Sequence, residues 1–404
     1  MTSAIDVTHR RMVKILTILL IVFMTVFGLL ANRYDSRSRQ RFKLSKAYLA
    51  YAMLWAITFT GIYGHQIYQD YVQGQLNLRD AVSLYGYMNI TVAVINYATQ
   101  MIMNDAVART MSRVPLLETL NMFHLDNASL LLSIGVAMFK AVGFPLILET
   151  AFILQQRRLE PESSLIWTVY RLLPLIISNL LNNCYFGAMI VVKEILKAIN
   201  VRLESQRQQV NLMQREDQLK LNTPFYRMQK FCAFADELDK LAGRYMVIYV
   251  HCDKYLSLMS LSIILSLICH LLGMTVGFYS QYYALADTFI AGKPYDGLGA
   301  LINLVFLLIS FTEINMLAQL CDNLLVATRR TVIILQEVNL KHADCRYRQA
   351  VHSFTLLVTV SKFQIKPMGL YELDLQLLAN VFSTVFSFLL ILVQADLSHR
   401  FRMY

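Results

Sequence analysis

Charge is what this chain has least of. Asp, Glu, Lys and Arg make up 16% of its 404 residues and hydrophobic residues 56%, where soluble domains sit near ~25% and ~45–50%. So few charges cannot coat a water-facing globule, which excludes an ordinary soluble domain. Catalytic signatures are absent as well: there is no H-E-x-x-H helix, no C-x-x-C pair and no G-x-x-x-x-G-K-[ST] phosphate loop. No enzyme, cofactor or metal site is read from the chain. Cysteine offers no outer framework, because Cys184 and Cys269 fall in apolar runs and Cys232, Cys252, Cys321 and Cys345 in basic segments. No internal repeat recurs at a fixed period, against what a transporter built from inverted repeats requires.

What the chain does have is long apolar runs. Eight of them, roughly 15–31, 47–66, 81–103, 128–154, 164–192, 257–285, 298–318 and 375–395, approach the length needed to cross ~30 Å of hydrocarbon as helices. The first is the shortest and is basic on both sides, with HRRMVK before it and NRYDSRSRQRFKLSK after it. Basic flanks prefer the cytoplasm, so both ends belong on one side. The segment is therefore expected to re-enter or to lie at the interface. A signal peptide would need a small-residue cleavage site, which does not follow. Seven spans remain: an all-α membrane protein.

With the N-terminus inside, 29 of the 37 lysines and arginines fall on the inner side and six on the outer. That asymmetry orients the chain with its N-terminus inside and its C-terminus outside. The net charge of +10 is then assigned to the lipid bilayer's anionic inner leaflet, and no nucleic acid partner is implied. The orientation is the reverse of a G-protein-coupled receptor, so no G protein is required. The expected organisation is a cytoplasmic segment over 1–46, four spans over 47–192, a cytoplasmic helical extension over 193–256, spans five and six over 257–318, a second cytoplasmic segment over 319–374, and a last span with a short outer tail over 375–404. In the extension, Leu238, Leu241 and Tyr245 recur at helical spacing among mixed charges.

The last span carries an unusual face. Steps of four and three residues select Gln376, Asn380, Thr384, Ser387, Ile391, Gln394 and Ser398, a single stripe that is polar except at Ile391. Lipid does not tolerate such a stripe, so it must meet protein or water. Two readings stand at this point: hydrogen-bonding glue between helices, or the wall of an aqueous pore whose one apolar ring is a gate.

Depth and face also suggest a ligand pocket in the outer half of the spans. Tyr85 and Asn89 share a face of the second span, with Asn96 deeper. Glu149 and Phe152 come from the third, Trp167, Tyr170 and Arg171 from the fourth, and Tyr279 and Tyr283 from the fifth. Aromatic walls with a few polar groups suit a small organic ligand. Glu149 and Arg171 lie at similar depth and could pair. Lys140, Glu149, Arg171 and Glu313 would be the coupling charges of the alternative reading, a membrane transporter. His270 reads as a hydrogen-bonded helix contact.

The terminal stretch KPMGLYELDLQLLANVFSTVFSFLLILVQADLS resembles the signature of the insect gustatory receptor family. That signature is a Gly followed shortly by an Asp, here Gly369 and Asp374, then a helix ending in Thr-Tyr, five apolar residues, Gln and Phe. In this chain Ser387 and Phe388 stand for Thr-Tyr, Gln394 is kept and Ala395 replaces the last Phe. The resemblance implies a ligand-gated, non-selective cation channel in the plasma membrane of gustatory sensory neuron dendrites, responding to small-molecule tastants, bitter or aversive compounds among them. It implies a homotetramer, or a heterotetramer with other gustatory receptors. The last helix of each subunit would line a central pore, gated at Ile391, and the inner extensions would supply most subunit contacts.

Overall fold

The apolar runs fold as helices that outlast the bilayer. The computed structural model describes residues 15, 18, 19, 21–34, 42–74, 81–113, 127–159, 165–221, 223–292 and 294–403. Among these the elements are β1 (Asn32–Tyr34), β2 (Phe42–Leu44), α1 (Lys46–Val72), α2 (Ala81–Ile102), α3 (Asn104–Arg113), α4 (Asn127–Met138), a π-helical turn (Phe139–Gly143), α5 (Phe144–Leu159), α6 (Leu165–Met213), α7 (Glu216–Leu221), α8 (Pro224–Ala291), α9 (Gly297–Gln336), α10 (Cys345–Val360), a 3-10 turn (Pro367–Gly369) and α11 (Leu375–Met403). α4, the π turn and α5 run on as one rod. The described residues therefore contain seven rods of spanning length: α1, α2, α4–α5, α6, α8, α9 and α11. Five of them, α4–α5, α6, α8, α9 and α11, are long and apolar enough by composition to cross a membrane. α1 and α2 have the length, with 27 and 22 residues, and a more mixed composition.

The described part of the N-terminal run ends in a turn. Residues 21–26 are helical, and the chain then reverses at Gly28, whose φ of 70° suits glycine. A Cβ there would also sit 2.8 Å from that of Trp55. Tyr97 and Tyr51 donate to the freed carbonyls of Phe27 and Val26, each at 2.7 Å. Met24, Leu29 and Leu30 are buried in the main core. Past the reversal, β1 pairs antiparallel with β2 in the register Asn32↔Leu44, a pairing too short to leave a periodic signal in the sequence.

Two rods are far longer than a bilayer needs: α6 has 49 residues and α8 has 68, about 75 and 100 Å at ~1.5 Å per residue. Their inner halves pack with the end of α9 and with α10 into a second bundle. Leu238, Leu241 and Tyr245 are buried there at 2% exposure or less. Tyr245 meets Phe354 and Phe363 edge-on at 5.9 and 5.5 Å and donates to Ser361 O at 3.2 Å. Asn200 donates to Ala327 O at 2.8 Å and accepts from Thr331 at 2.6 Å. Directional bonds of this kind fix helix register where apolar packing alone would let it slide.

Helix ends are set by local chemistry. Thr223 caps α8 ahead of Pro224, and Gly292 closes it at φ 65°. Asp296 caps α9 through Gly299 N. Before α11, Met368 and Gly369 take positive φ, and Asp374 Oδ1 accepts from Leu377 N at 2.8 Å. The Gly369 and Asp374 of the terminal motif are thus a turn and a cap, and together they aim α11 back through the spans.

Candidate functional site

Two regions could carry function: the outward face of α11, and a cavity at the end of the bundle where the chain terminates. α11 is the least covered of these five apolar rods, with 11% of its apolar stretch buried against 67% for α6. It packs on α8 and α9 through Leu377, Leu378, Val381 and Val385. The opposite side presents the polar stripe. Gln376, Asn380, Ser387, Ile391, Gln394 and Ser398 are exposed and Thr384 is half-buried. Thr384 and Ser387 return their hydroxyls to the carbonyls of Asn380 and Ser383 at 2.8 Å. None of the stripe's polar groups bonds to another helix of the same chain among the described contacts, so intrachain glue does not account for it.

The end of α11 is latched. Arg400 donates to Asp396 Oδ2 and to Asp287 Oδ1, each at 2.7 Å, and lies 4.6 Å over the ring of Tyr283. Tyr282 also donates to Asp396, at 3.0 Å.

The cavity encloses about 540 Å³ and lies between α1, α2, α5, α6, α8 and α9. α1 contributes Tyr63, Gln66 and Asp70, one face at spacings of three and four. α2 contributes Tyr85, Tyr87, Asn89 and Ile90, and α6 contributes Arg171, Leu172, Pro174 and Leu175. α8 contributes small residues, Gly273, Gly277, Ser280 and Ala284 among them, and that smallness opens the space. The Tyr85 and Phe306 rings meet edge to face at 5.0 Å. Tyr63 stacks on Tyr170 at 4.7 Å, and the Tyr170 hydroxyl donates to Gln66 Oε1 at 2.7 Å.

Of the residues singled out from the sequence, Tyr85, Asn89 and Arg171 line this cavity. Tyr170 stands behind its wall through Tyr63 and Gln66. Tyr279 and Tyr283 do not line it. They sit on the α8 face turned toward α11 and Arg400, because the other face carries the small residues that leave the cavity open. The side chains of Glu149, Phe152 and Trp167, and with them the proposed Glu149–Arg171 pair, lie outside the described ones. The sequence reading missed Tyr63, Gln66 and Asp70, whose spacing of i, i+3 and i+7 on α1 was the available signal.

Beneath the cavity lies a closed ionic cluster. Lys140, fully buried in the π turn, donates to Glu313 Oε1 and Asn183 Oδ1, each at 3.1 Å. Its ammonium stands 5.2 Å from the Phe186 ring centroid. His270 Nε2 is 3.1 Å from Glu313 Oε2. Four rods meet there, and the π turn supplies the local widening that lets Lys140 reach inward. A buried ladder runs alongside: Ser178 donates to Asn89 at 2.7 Å, Asn96 to Ser178 O at 3.3 Å and Ser262 to Asn96 at 2.7 Å.

Comparison with known proteins places these features. The family profile described as 7tm chemosensory receptor matches residues 17–399. A Drosophila melanogaster protein named as gustatory receptor 94a is 70% identical over 398 residues, 98% of each chain, and one named as gustatory receptor 97a is 36% identical over 97% of this chain and 93% of its own length. The gustatory receptor for bitter taste 93a of the same fly is 20% identical over 44% of this chain and 41% of its own. Among solved structures, the insect olfactory receptor OR5 from Machilis hrabei superposes with a TM-score of 0.66 over 96% of this chain and 99% of that one, at 13% identity. Its complex with eugenol superposes with a TM-score of 0.59 over the same shares. The chain belongs to the 7tm chemosensory receptor family, on its insect gustatory receptor branch.

Proposed function

We propose that this chemoreceptor is a subunit of a ligand-gated, non-selective cation channel, a tetramer whose pore is lined by α11 and whose cavity takes a small-molecule tastant. One observation carries the reading: on a helix that is otherwise apolar, the polar stripe of α11 faces away from its own subunit. A face that suits neither lipid nor its own chain is met by copies of itself around a water-filled axis. Four copies, from this chain or from related gustatory receptors, would set Ile391 as an apolar ring that gates by dewetting. Gln394 would stand just outside it as a polar surface for a partly dehydrated ion. Ligand contacts would come from Tyr85, Asn89 and Arg171 together with Tyr63, Gln66 and Asp70. Eugenol bound to a receptor of the same fold supports a small organic ligand, and the bitter-taste relative supports an aversive one. The working membrane would be that of a gustatory neuron dendrite, with the C-terminus outside.

Cysteine scanning under an externally applied thiol reagent tests the pore. Ile391→Cys, Gln394→Cys and Ser398→Cys should react and block current. Val385→Cys, Leu389→Cys and Val393→Cys, on the face turned toward the subunit's own helices, should leave it unchanged. Uniform behaviour at all six positions would refute the pore assignment.

A further inference from the structure

One carboxylate on the cavity wall, Asp70, has no ion-pair partner among the described residues. We propose that the cavity's ligand is a protonated organic amine on an aromatic or apolar body, with the ammonium held by Asp70; this rests on the reading of the cavity as the ligand site. Asp70 lines the cavity half-buried. Its Oδ2 accepts from the Tyr87 hydroxyl at 2.8 Å, and it forms no ion pair with any described residue. A carboxylate set among apolar walls is costly unless a positive charge compensates it. One hydroxyl donor is only part of that compensation, and no described residue bonds to Oδ1.

The other polar groups of the lining are mixed. Gln281 donates its Nε2 to Ala300 O at 2.6 Å, and Asn303 its Nδ2 to Gly277 O at 3.2 Å. Each amide has spent a donor on backbone and keeps its carbonyl oxygen, an acceptor. Asn89 is used at both ends, giving Nδ2 to Tyr85 O and accepting from Ser178. Asp296 adds a second carboxylate to the lining. On the donor side stand Gln66 Nε2 and Arg171, and Arg171 has an interaction of its own. The lining thus holds donors and acceptors alike, and the charge of Asp70 is what selects a cationic ligand. A neutral alcohol could answer the amide oxygens but would leave the Asp70 charge uncompensated. An anion would meet two carboxylates against one guanidinium, that of Arg171, which already has an interaction of its own. An ammonium answers Asp70, and the rings of Tyr63 and Tyr87 on the same lining can add cation–π attraction. The Tyr85–Phe306 pair, with Ile90 and Leu175, offers the surface for the body.

The test uses the full-length protein in lipid nanodiscs and matched probes of one skeleton: phenethylamine with phenethyl alcohol, and benzhydrylamine with benzhydrol. Binding is read by thermal shift, independently of current. Each amine should stabilise the protein at concentrations more than about tenfold below its alcohol, as expected for a charge pair formed in a partly desolvated site. Asp70→Asn should abolish that preference, with a ligand-free melting temperature near that of the wild type reporting an intact fold; Asp70→Glu should keep it. Alcohols binding as well as amines, or an amine preference that survives Asp70→Asn, would overturn the amine class and leave the cavity as a neutral-ligand site. Failure of every probe to bind the wild-type protein would overturn the cavity reading and the amine class together.

Discussion

Two charged sites lie on one set of helices, and they are finished differently. At the inner site Lys140, Glu313, His270 and Asn183 come from four rods and close on one another at 3.1 Å. At the outer site Asp70 faces a cavity and has a tyrosine hydroxyl for company. Burial explains both. Where no water reaches, each charge must meet its opposite within the chain or the fold does not form. Where a cavity is kept open by glycines and alanines, a carboxylate can wait for a partner from outside. A closed cluster is therefore architecture, and on the proposed reading the open carboxylate is recognition.

The strongest way to break this contrast is to open the closed site. Lys140→Met or Glu313→Met alone strands a buried charge and should destabilise the protein by about 3–5 kcal/mol, as when either partner of a buried pair is removed. Little folded protein should reach the cell surface. The double substitution Lys140→Met with Glu313→Met removes both charges and should recover most of the surface signal. Surface biotinylation of the four proteins in the cycle measures the coupling, and additive losses would show that the two charges do not act as a pair.

A second perturbation acts where the regions meet. Gly273 lines the cavity one turn along α8 from His270, and a Cβ there would stand 3.1 Å from the Tyr85 ring. Gly273→Ala should push that ring into the cavity at an overpacking cost of about 1–3 kcal/mol. Ligand sensitivity should fall while surface expression persists, since the ion cluster is untouched. Equal losses of both in dose–response and surface measurements would make the two regions one cooperative unit.

How much of this was legible beforehand follows the physics of each feature. The seven spans and the long inner extensions are written in composition and in a helical period, both local properties. The turn and cap at Gly369 and Asp374 are local too. The polar stripe of α11 could be read because one helix carries all of it. The Lys140 cluster could not, because its partners lie 43 and 173 residues away in sequence and no helix face shows more than one member. The pocket was half legible. Its polar residues on α2 and α6 stood out by type, yet its volume depends on small residues of α8, and a sequence reading drawn to large aromatics chose Tyr279 and Tyr283, which lie on another face of that helix. Asp70 was overlooked for a related reason: at the end of a span a single acid reads as a boundary, and only the fold turns it toward a cavity.

The smallest test compares single hydrogen bonds of similar kind. Asn183 gives Lys140 its second acceptor at 3.1 Å in a site with no exposed ammonium surface. Asn183→Ala leaves that ammonium under-coordinated where no water can substitute, which should cost about 1–3 kcal/mol. Tyr87→Phe likewise removes one partner from a charged group, at 2.8 Å from Asp70. There the cavity is large enough to supply a water molecule in place of the hydroxyl, so the loss should stay below about 1 kcal/mol. Thermal melts of the two variants in the same nanodisc preparation measure the difference directly. A Tyr87→Phe penalty equal to that of Asn183→Ala would mean that Asp70 is as closed as Glu313 and that the cavity beside it is dry.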